Sequence, residues 1–302
     1  MPQKSSSFLS GFKAYMKLER SFSTHTVAAY LRDVQLLMRY IDAEIPGTTF
    51  EKITLKELKS FVRFINELEL SDTSQARIIS GVKSFFRYLL LEGIITADPT
   101  ELLEAPKTKR ALPSVLSVKE IDKMIAAIDR STNEGMRNVA VIETLYSCGL
   151  RVTELTKLKL SNLYLDTGFV RVVGKGNKER VVPIGSEAVK LIRLYKDHTR
   201  SQMPIKEKAQ DIVFLNRRGS GLSRMMIFNI VRDAAASAGL ETNVHPHTFR
   251  HSFATHLVER GADLRAVQEM LGHASITTTE IYTHLDRSFL RKTLEKFHPR
   301  YK

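Results

Sequence analysis

The sequence predicts a mainly α-helical protein with two domains and one small antiparallel sheet. In the first third of the chain, apolar residues recur every three or four positions, which is typical of amphipathic helices. A basic segment with prolines then interrupts this pattern. In the remainder, a single β-rich region lies between helical stretches. The length of 302 residues fits two domains at roughly 100–200 residues each.

Residues 1–106 are predicted to form a small helical bundle. Its clearest helix has apolar residues at the i, i+3, i+4 and i+7 spacing, and Ser23 or Thr24 can cap its start. A second helix covers residues 55–68. A third ends near Gly93, because glycine readily adopts the left-handed conformation that follows many helices.

The segment EAPKTKRALPSVLS, residues 104–117, marks the domain boundary. It has two prolines and little periodicity, and its basic residues are Lys107, Lys109 and Arg110. This composition predicts an extended basic linker at residues 107–116, with a plain surface loop as the alternative. Residues 117–302 then form the second domain, which opens with a helix capped by Ser117 and Glu120.

The second domain contains the β-rich region NLYLDTGFVRVVGKGNKERVVPIG, residues 162–185. Turn residues interrupt it at 166–168 and at 174–177, which predicts a three-stranded antiparallel sheet with two turns. The chain on either side is helical in pattern. We therefore expect an α-rich domain with one small sheet.

The charge of the chain favours a polyanionic partner. The net charge is +13 and the pI is near 9.7, and residues after 110 hold 30 basic and 20 acidic side chains. Such an excess is typical of nucleic-acid-binding proteins, although a solvated basic surface is the alternative. The single cysteine, Cys148, cannot form an internal disulfide, and no apolar run approaches the roughly 20 residues of a membrane span. We expect a cytoplasmic protein without a membrane partner.

Two basic residues stand at predicted turns. Arg151 in GLRVTEL follows Gly149, which is expected to end a helix, and Glu154 can orient its side chain towards a phosphate. An exposed ion pair between the same two residues is the alternative. Lys175 in GKGNKER lies in a glycine-flanked hairpin turn that does not match a P-loop. It is either a solvated surface lysine or one that closes on a bound backbone.

The stretch HTFRHSFATHL, residues 247–257, places His247 and Arg250 on one face of a helix. Its predicted buried stripe is Phe249, Phe253 and Leu257. The spacing of His247 and His251 also fits a metal site, but the glutamate of H-E-x-x-H is absent and Arg250 intervenes. We expect no metal and no other cofactor.

The stretch LGHASITTTEIYTHL, residues 271–285, contains His273 and Tyr282. Most tyrosines of globular proteins are packing residues, so this stretch alone does not distinguish packing from a nucleophile. The other motifs decide, because they occur together in one order. That order resembles the tyrosine recombinases, and within them the Xer branch, over nearly the full chain and including the terminal HPR at 298–300.

The resemblance implies a role for each domain and for six residues. Residues 1–106 would be the core-binding domain that contacts DNA, and residues 117–302 the catalytic domain. The implied catalytic residues are Arg151, Lys175, His247, Arg250, His273 and Tyr282. Tyr282 would attack a DNA phosphate gripped by the two arginines, while His247 handles the tyrosine proton and Lys175 protonates the departing 5′ oxygen.

The resemblance also implies the partners. These are double-stranded DNA and a tetramer on two DNA sites, formed by this chain alone or with a second Xer recombinase. Strand exchange through a Holliday junction would resolve chromosome or plasmid dimers. The final helix, residues 287–297, would pack into a neighbouring protomer or fold back on its own domain. The alternatives are a mobile-element integrase, a topoisomerase-like relaxing enzyme and a catalytically silent DNA-binding regulator.

Overall fold

The computed structural model describes residues 2–106, 115–174, 179–241, 244–272 and 287–301. The chain divides into two compact units, Met1–Ala111 and Leu112–Lys302. Most of the predicted basic linker, residues 107–114, lies outside the described residues. The predicted class is confirmed, because a helical N-terminal unit is followed by a helical unit with one three-stranded sheet.

The N-terminal unit is helical throughout its described secondary structure. Its α-helices are α1 (Pro2–Leu18), α2 (Thr24–Glu44), α3 (Leu55–Glu67) and α4 (Asp72–Leu91). Ser23 caps α2 by accepting a hydrogen bond from the Thr26 backbone N–H at 3.1 Å. Helix α1 was not predicted, although Phe8, Phe12 and Tyr15 recur at helical spacing in its sequence.

Aromatic rings fill the centre of this unit. Phe85 of α4 lies edge-on to Phe12 of α1, with ring centroids 5.3 Å apart, and edge-on to Phe50, at 4.9 Å. All three side chains are buried. Edge-to-face aromatic pairs of this kind add about 0.5–1.5 kcal/mol to the contribution of burial alone. The apolar faces of these helices therefore form one packed core.

The C-terminal unit contains eight α-helices and the sheet within the described residues. Its helices are α5 (Val118–Ala126), α6 (Asn133–Cys148), α7 (Val152–Thr156), α8 (Ser186–Leu194), α9 (Arg224–Ser237), α10 (Pro246–Glu259), α11 (Leu264–Leu271) and α12 (Arg287–Phe297). Its strands are β1 (Leu163–Tyr164), β2 (Phe169–Val173) and β3 (Glu179–Pro183). None of the described helices combines the length and apolarity needed to cross a bilayer.

Helix α6 is the central helix of this unit. Every residue from Val139 to Cys148 is buried, and α5, α8, α9 and α10 pack around the helix. A helix that is enclosed on all sides is mainly apolar around its circumference, and seven of these ten residues are hydrophobic. The end of α6 is therefore held from several directions, and the chain that leaves it begins at a fixed point.

The sheet is antiparallel with the order β1-β2-β3, as predicted. In the β2–β3 pair, Val170 lies opposite Val182 and Val172 lies opposite Arg180. The three valines are buried on the inner face of the sheet. Because side chains alternate between the faces of a strand, Arg180 points to the same inner face as Val182.

The C-terminal segment packs on its own unit. Helix α12 contacts β3, α10 and α11, and buries Leu290 and Leu294.

The residues after α12 reach α6, where the centroid of the buried His298 ring lies 4.9 Å from that of the Tyr146 ring. Arg300 forms ion pairs with Glu143 at 3.1 Å and with Asp122 at 2.6 Å. In this single chain the final helix is thus folded back on its own domain.

Replacing His298 with phenylalanine should reduce the acid sensitivity of the fold. Burial lowers the pKa of His298 from 6.5 to about 3, with smaller contributions from His256 and Arg300. Below pH 6.5 the unfolded chain therefore binds a proton that the folded chain does not, and the native state loses stability as the pH falls. Between about pH 6.5 and about pH 5 this costs about 2 kcal/mol.

Urea unfolding at several pH values measures the effect. We expect His298→Phe to lose less unfolding free energy on acidification than the wild type, because phenylalanine keeps the ring and removes the titrating group. The control is His198→Gln, since His198 is exposed in the same unit and its replacement should leave the pH dependence unchanged. Equal pH dependence in His298→Phe and the wild type would contradict the assignment.

Candidate active site

The site is built around the ends of two helices, α6 and α11, and each of them is followed by a glycine. Gly149 follows α6 with φ of 57°, and Gly272 follows α11 with φ of 64°. Both lie in the left-handed region that side chains other than glycine rarely adopt. The last carbonyl groups of a helix have no partner within the helix and carry partial negative charge. Each turn therefore presents acceptors that suit a cation.

Arg250 of α10 connects these two helix ends. Its Nη1 donates to the carbonyl oxygen of Gly149 at 2.8 Å, and its Nη2 donates to that of Leu271 at 2.5 Å. The side chain is buried, and this burial, followed by the charge of Arg151, lowers its pKa to about 10. The guanidinium is still charged at neutral pH. Its partners are carbonyl dipoles, so the positive charge is not neutralised by a carboxylate.

Arg151 lies between Gly149 and α7 and reaches the same turn. Its Nη1 donates to Glu154 Oε1 at 2.9 Å, and its Nη2 donates to the carbonyl oxygen of Gly272 at 3.3 Å. Its backbone N–H donates to the other oxygen of Glu154 at 2.8 Å. About a third of the side chain, 32%, is exposed to solvent. Arg151 is thus held through its backbone and its guanidinium, although its side chain is not fully buried.

Glu154 is nearly fully buried, which excludes the exposed ion pair considered as an alternative. Its side chain is 1% exposed, and Arg180 of β3 binds both of its oxygens, at 2.7 and 2.8 Å. Burial alone would raise the pKa of this carboxyl group. The hydrogen bonds and charge of Arg180, together with those of Arg151, hold the pKa of Glu154 below its usual value.

Three arginines therefore bind three successive carbonyl groups at the end of α11. The carbonyl oxygen of Met270 accepts from Arg180 Nε at 2.9 Å, that of Leu271 from Arg250, and that of Gly272 from Arg151. These side chains come from positions far apart in the sequence. With Glu154 as the one anion among them, the group has a formal charge of +2.

The sequence analysis missed Arg180. Its signal is a charged residue two positions before Val182, on the strand face predicted to point into the core. A charge on such a face requires a buried partner of opposite charge. The pattern of the strand could therefore have indicated that Arg180 has a partner, although it does not say which one.

His247 lies in the first turn of α10 and is exposed, although the residues on either side of it are buried. Its pKa is lowered, first because neighbouring protein atoms displace part of its hydration and next because Arg250 is positively charged. A lowered pKa keeps the imidazole neutral at neutral pH. In that form it can accept a proton.

The other three predicted site residues lie outside the described residues, and these are Lys175, His273 and Tyr282. The described chain does reach the positions that border them. Gly272, whose carbonyl oxygen binds Arg151, immediately precedes His273. Strand β2 ends at Val173, and β3 resumes at Glu179, beside Arg180. Within the described parts of the chain, no group of His, Cys, Asp and Glu is arranged to hold a metal ion.

This arrangement suits the binding of a phosphodiester. A guanidinium can donate two parallel hydrogen bonds to phosphate oxygens, and Arg151 is partly exposed beside the buried charge of Arg250. Positive charge that is fixed before the substrate arrives stabilises negative charge that develops during a reaction.

Comparisons with known proteins identify the family of this chain. Residues 114–288 match the phage integrase family, and residues 9–93 match the N-terminal SAM-like domain of phage integrases. The tyrosine recombinase XerD of Chlorobaculum tepidum is 45% identical over 97% of this chain and 96% of its own length. XerD of Listeria innocua is 40% identical over 96% of this chain and 97% of its own length.

A solved structure is also similar. It is the XerH site-specific recombinase bound to its palindromic difH substrate, in a post-cleavage complex. It superposes with a TM-score of 0.71 at 26% identity, over 91% of this chain and 81% of that one.

Gly149→Ala should disrupt this site more than a comparable glycine substitution elsewhere. A Cβ at Gly149 would lie 2.6 Å from the ring of the buried Phe253, in addition to the cost of the left-handed conformation. Gly239→Ala is the control, since Gly239 has φ of 67° but no atom within 4 Å of the added Cβ. It should lose only the roughly 1–2 kcal/mol of stability that the left-handed conformation costs a residue with a Cβ.

Thermal unfolding and DNA cleavage by the two variants test this prediction. Gly149→Ala should unfold at the lower temperature of the two and should cleave more slowly when bound to DNA, because the carbonyl group that holds Arg250 is displaced. Equal behaviour of the two variants would show that the end of α6 tolerates displacement.

Proposed function

The chain belongs to the phage integrase family and is a site-specific tyrosine recombinase, and we propose that it cleaves DNA through Tyr282 and rejoins it through a 3′-phosphotyrosyl intermediate. The observation that carries this proposal is the convergence of Arg151 and Arg250 on one turn of the chain. The two arginines are far apart in the sequence but lie close together in the structure. Attack on a single phosphate requires both positive charges at one place.

A tyrosine needs such surroundings to act as a nucleophile. With a pKa near 10, only about one phenol in a thousand is ionised at pH 7, which corresponds to roughly 4 kcal/mol. Attack also places additional negative charge on the non-bridging phosphate oxygens. Arg151 and Arg250 would stabilise this charge, and His273 would add a hydrogen-bond donor to the same oxygens. The arginines supply the positive charge that a metal ion supplies in other phosphoryl-transfer enzymes.

The cleavage step is an exchange of one phosphate ester for another. The Tyr282 oxygen forms a bond to phosphorus as the bond from phosphorus to the 5′ oxygen breaks. His247 takes the phenol proton, and Lys175 gives a proton to the departing 5′ oxygen. The ester energy is kept in the protein–DNA link. A 5′ hydroxyl of a second strand then attacks the link, and strands are joined without ATP.

We propose that the two domains bind the duplex together, with residues 1–106 as the core-binding domain, 107–116 as the basic linker and 117–302 as the catalytic domain. The excess positive charge after residue 110 supports the binding of DNA by the catalytic domain. Binding should weaken with salt, with a log–log slope of about 0.9 per neutralised phosphate. A chromosomal or plasmid substrate would place the enzyme in the cytoplasm.

We further propose that four protomers assemble on two DNA sites. The tetramer consists either of four copies of this chain or of this chain together with a second Xer recombinase. They would exchange strands in pairs through a Holliday junction and so resolve chromosome or plasmid dimers. The XerD relatives, which match over nearly the whole chain, support this task over that of a mobile-element integrase. Strand exchange between two sites distinguishes this enzyme from a topoisomerase-like one, which would only relax supercoils.

Tyr282→Phe should bind DNA normally and form no covalent adduct, because it lacks the attacking oxygen but keeps its shape. The assay uses a duplex nicked near the cleavage position, which traps the protein on DNA after one cleavage. Tyr164→Phe is the control, since Tyr164 is an exposed tyrosine on β1, and it should form the adduct like the wild type. An adduct with Tyr282→Phe would identify another nucleophile, and none with the wild type would favour the silent regulator.

Cleavage should lose rate on acidification with a midpoint below pH 6.5, because the pKa of His247 is lowered from that value and only neutral imidazole accepts a proton. Single-turnover rates from about pH 5 to about pH 8 measure the midpoint. His247→Gln should lose this dependence, whereas His251→Gln should keep it. A midpoint that survives in His247→Gln would assign the proton transfer to another group.

A further inference from the structure

We propose that Arg180 is a positioning residue for DNA cleavage, which acts by fixing Glu154 and through it Arg151. The proposal rests on the proposed function, since it concerns the group that would bind the scissile phosphate. In this proposal Arg180 does not bind the phosphate directly. Its guanidinium points inwards and is occupied by protein acceptors, and its side chain is 14% exposed.

The first argument is the geometry at Glu154. Each of its oxygens accepts one hydrogen bond from Arg180 and one from Arg151. Arg180 supplies its two Nη groups side by side, the arrangement in which an arginine fixes the plane of a carboxylate. Arg180 therefore sets the orientation of the Glu154 carboxylate. That carboxylate in turn fixes Arg151 at its backbone N–H and at its Nη1.

The second argument is charge. Glu154 is buried, and a buried carboxylate must be compensated by a nearby cation. With Arg180 present, one full positive charge offsets Glu154, and the charges of Arg151 and Arg250 are available to a phosphate. Without Arg180, Glu154 would be offset by Arg151 alone. The formal charge of the cluster would fall from +2 to +1, at the place where the reaction develops negative charge.

The third argument is the contact of Arg180 with the end of α11. Its Nε holds the carbonyl oxygen of Met270 at 2.9 Å, and its Cδ would lie 3.0 Å from a Cβ placed on Gly272. Gly272 is the acceptor for Arg151. Arg180 thus packs directly against this turn, and the absence of a side chain at Gly272 leaves space for it.

Arg171 provides a matched control on the neighbouring strand. Its Nε and Nη2 donate to Asn162 Oδ1 at 3.0 and 2.8 Å, and it lies opposite Val181, on the other face of the sheet from Arg180. It is also an arginine of the same hairpin with side-chain partners. Its contacts do not include Glu154 or the end of α11. Replacing Arg171 therefore removes an arginine from the same sheet but leaves the contacts with Glu154 and with the end of α11 in place.

The test compares Arg180→Gln, Arg180→Lys and Arg171→Gln in the full chain. The measurement is the single-turnover rate of adduct formation on the nicked duplex, at a DNA concentration that saturates each variant. Arg180→Gln should be slower by about 100-fold, the order of losing one charge-stabilising donor. Arg180→Lys should recover about a tenth of the wild-type rate, since it keeps the charge but loses the paired hydrogen bonds. Arg171→Gln should cleave like the wild type.

A second substrate separates this role from an effect on the leaving group. In it, sulfur replaces the bridging 5′ oxygen, so that the departing group needs no proton. If Arg180 acts on Arg151, the defect of Arg180→Gln persists on this substrate. If the defect disappears, Arg180 acts through protonation of the leaving group by the hairpin that carries Lys175, and the proposal is overturned.

The remaining outcomes are equally decisive. If Arg180→Gln and Arg171→Gln both form the adduct at the wild-type rate, the proposal is overturned and the proposed function is left intact. Absence of an adduct with the wild-type protein overturns both. If Arg180→Gln does not fold, Arg180→Lys decides: a wild-type rate overturns the proposal, whereas slow cleavage with normal DNA binding and unaltered unfolding supports it.

Discussion

The carbonyl end of α11 is the feature on which the site depends. At the end of the helix, the carbonyl groups of Met270, Leu271 and Gly272 have no backbone N–H partner within the helix. Each of them accepts a hydrogen bond from a different arginine. Helix ends attract cations because their peptide dipoles are aligned. Carbonyl dipoles hold a guanidinium without cancelling its charge. This turn can therefore gather positive charge and leave it available to an anion.

The rest of the C-terminal unit keeps this turn in place. Helix α6 is enclosed on all sides and ends at Gly149, whose carbonyl oxygen binds Arg250, and the chain continues directly to Arg151. The tail after α12 braces the same helix, through His298 against Tyr146 and Arg300 against Glu143. The arginine pair thus lies beside the end of a helix whose last ten residues are all buried, and close packing opposes displacement there.

A single carboxylate among three arginines has a specific consequence. Glu154 gives Arg151 and Arg180 a common acceptor, and its own charge is offset once. A second carboxylate would have lowered the formal charge of the cluster from +2 to +1, and without Glu154 the guanidinium groups of Arg151 and Arg180 would have lost their common ionic partner. The cluster therefore compensates its buried carboxylate and keeps an excess of positive charge that can attract a phosphate, and perturbed ionisable groups of this kind cluster at functional sites.

Local chemistry sufficed to predict much of this protein. Apolar spacing predicted the helices, turn residues predicted the sheet and its two breaks, and Gly149 predicted the end of α6, because each of these depends on neighbours in the chain. Helix α1 was missed although its aromatic spacing was visible. The ordered motifs identified the family, and the roles of Lys175, His273 and Tyr282 remain proposals. Only the tertiary structure decided that Arg250 binds the ends of two helices, that Glu154 is buried and that Arg180 shares it. Those contacts join residues tens of positions apart, and which side chains meet across such distances is determined by packing and not by local sequence.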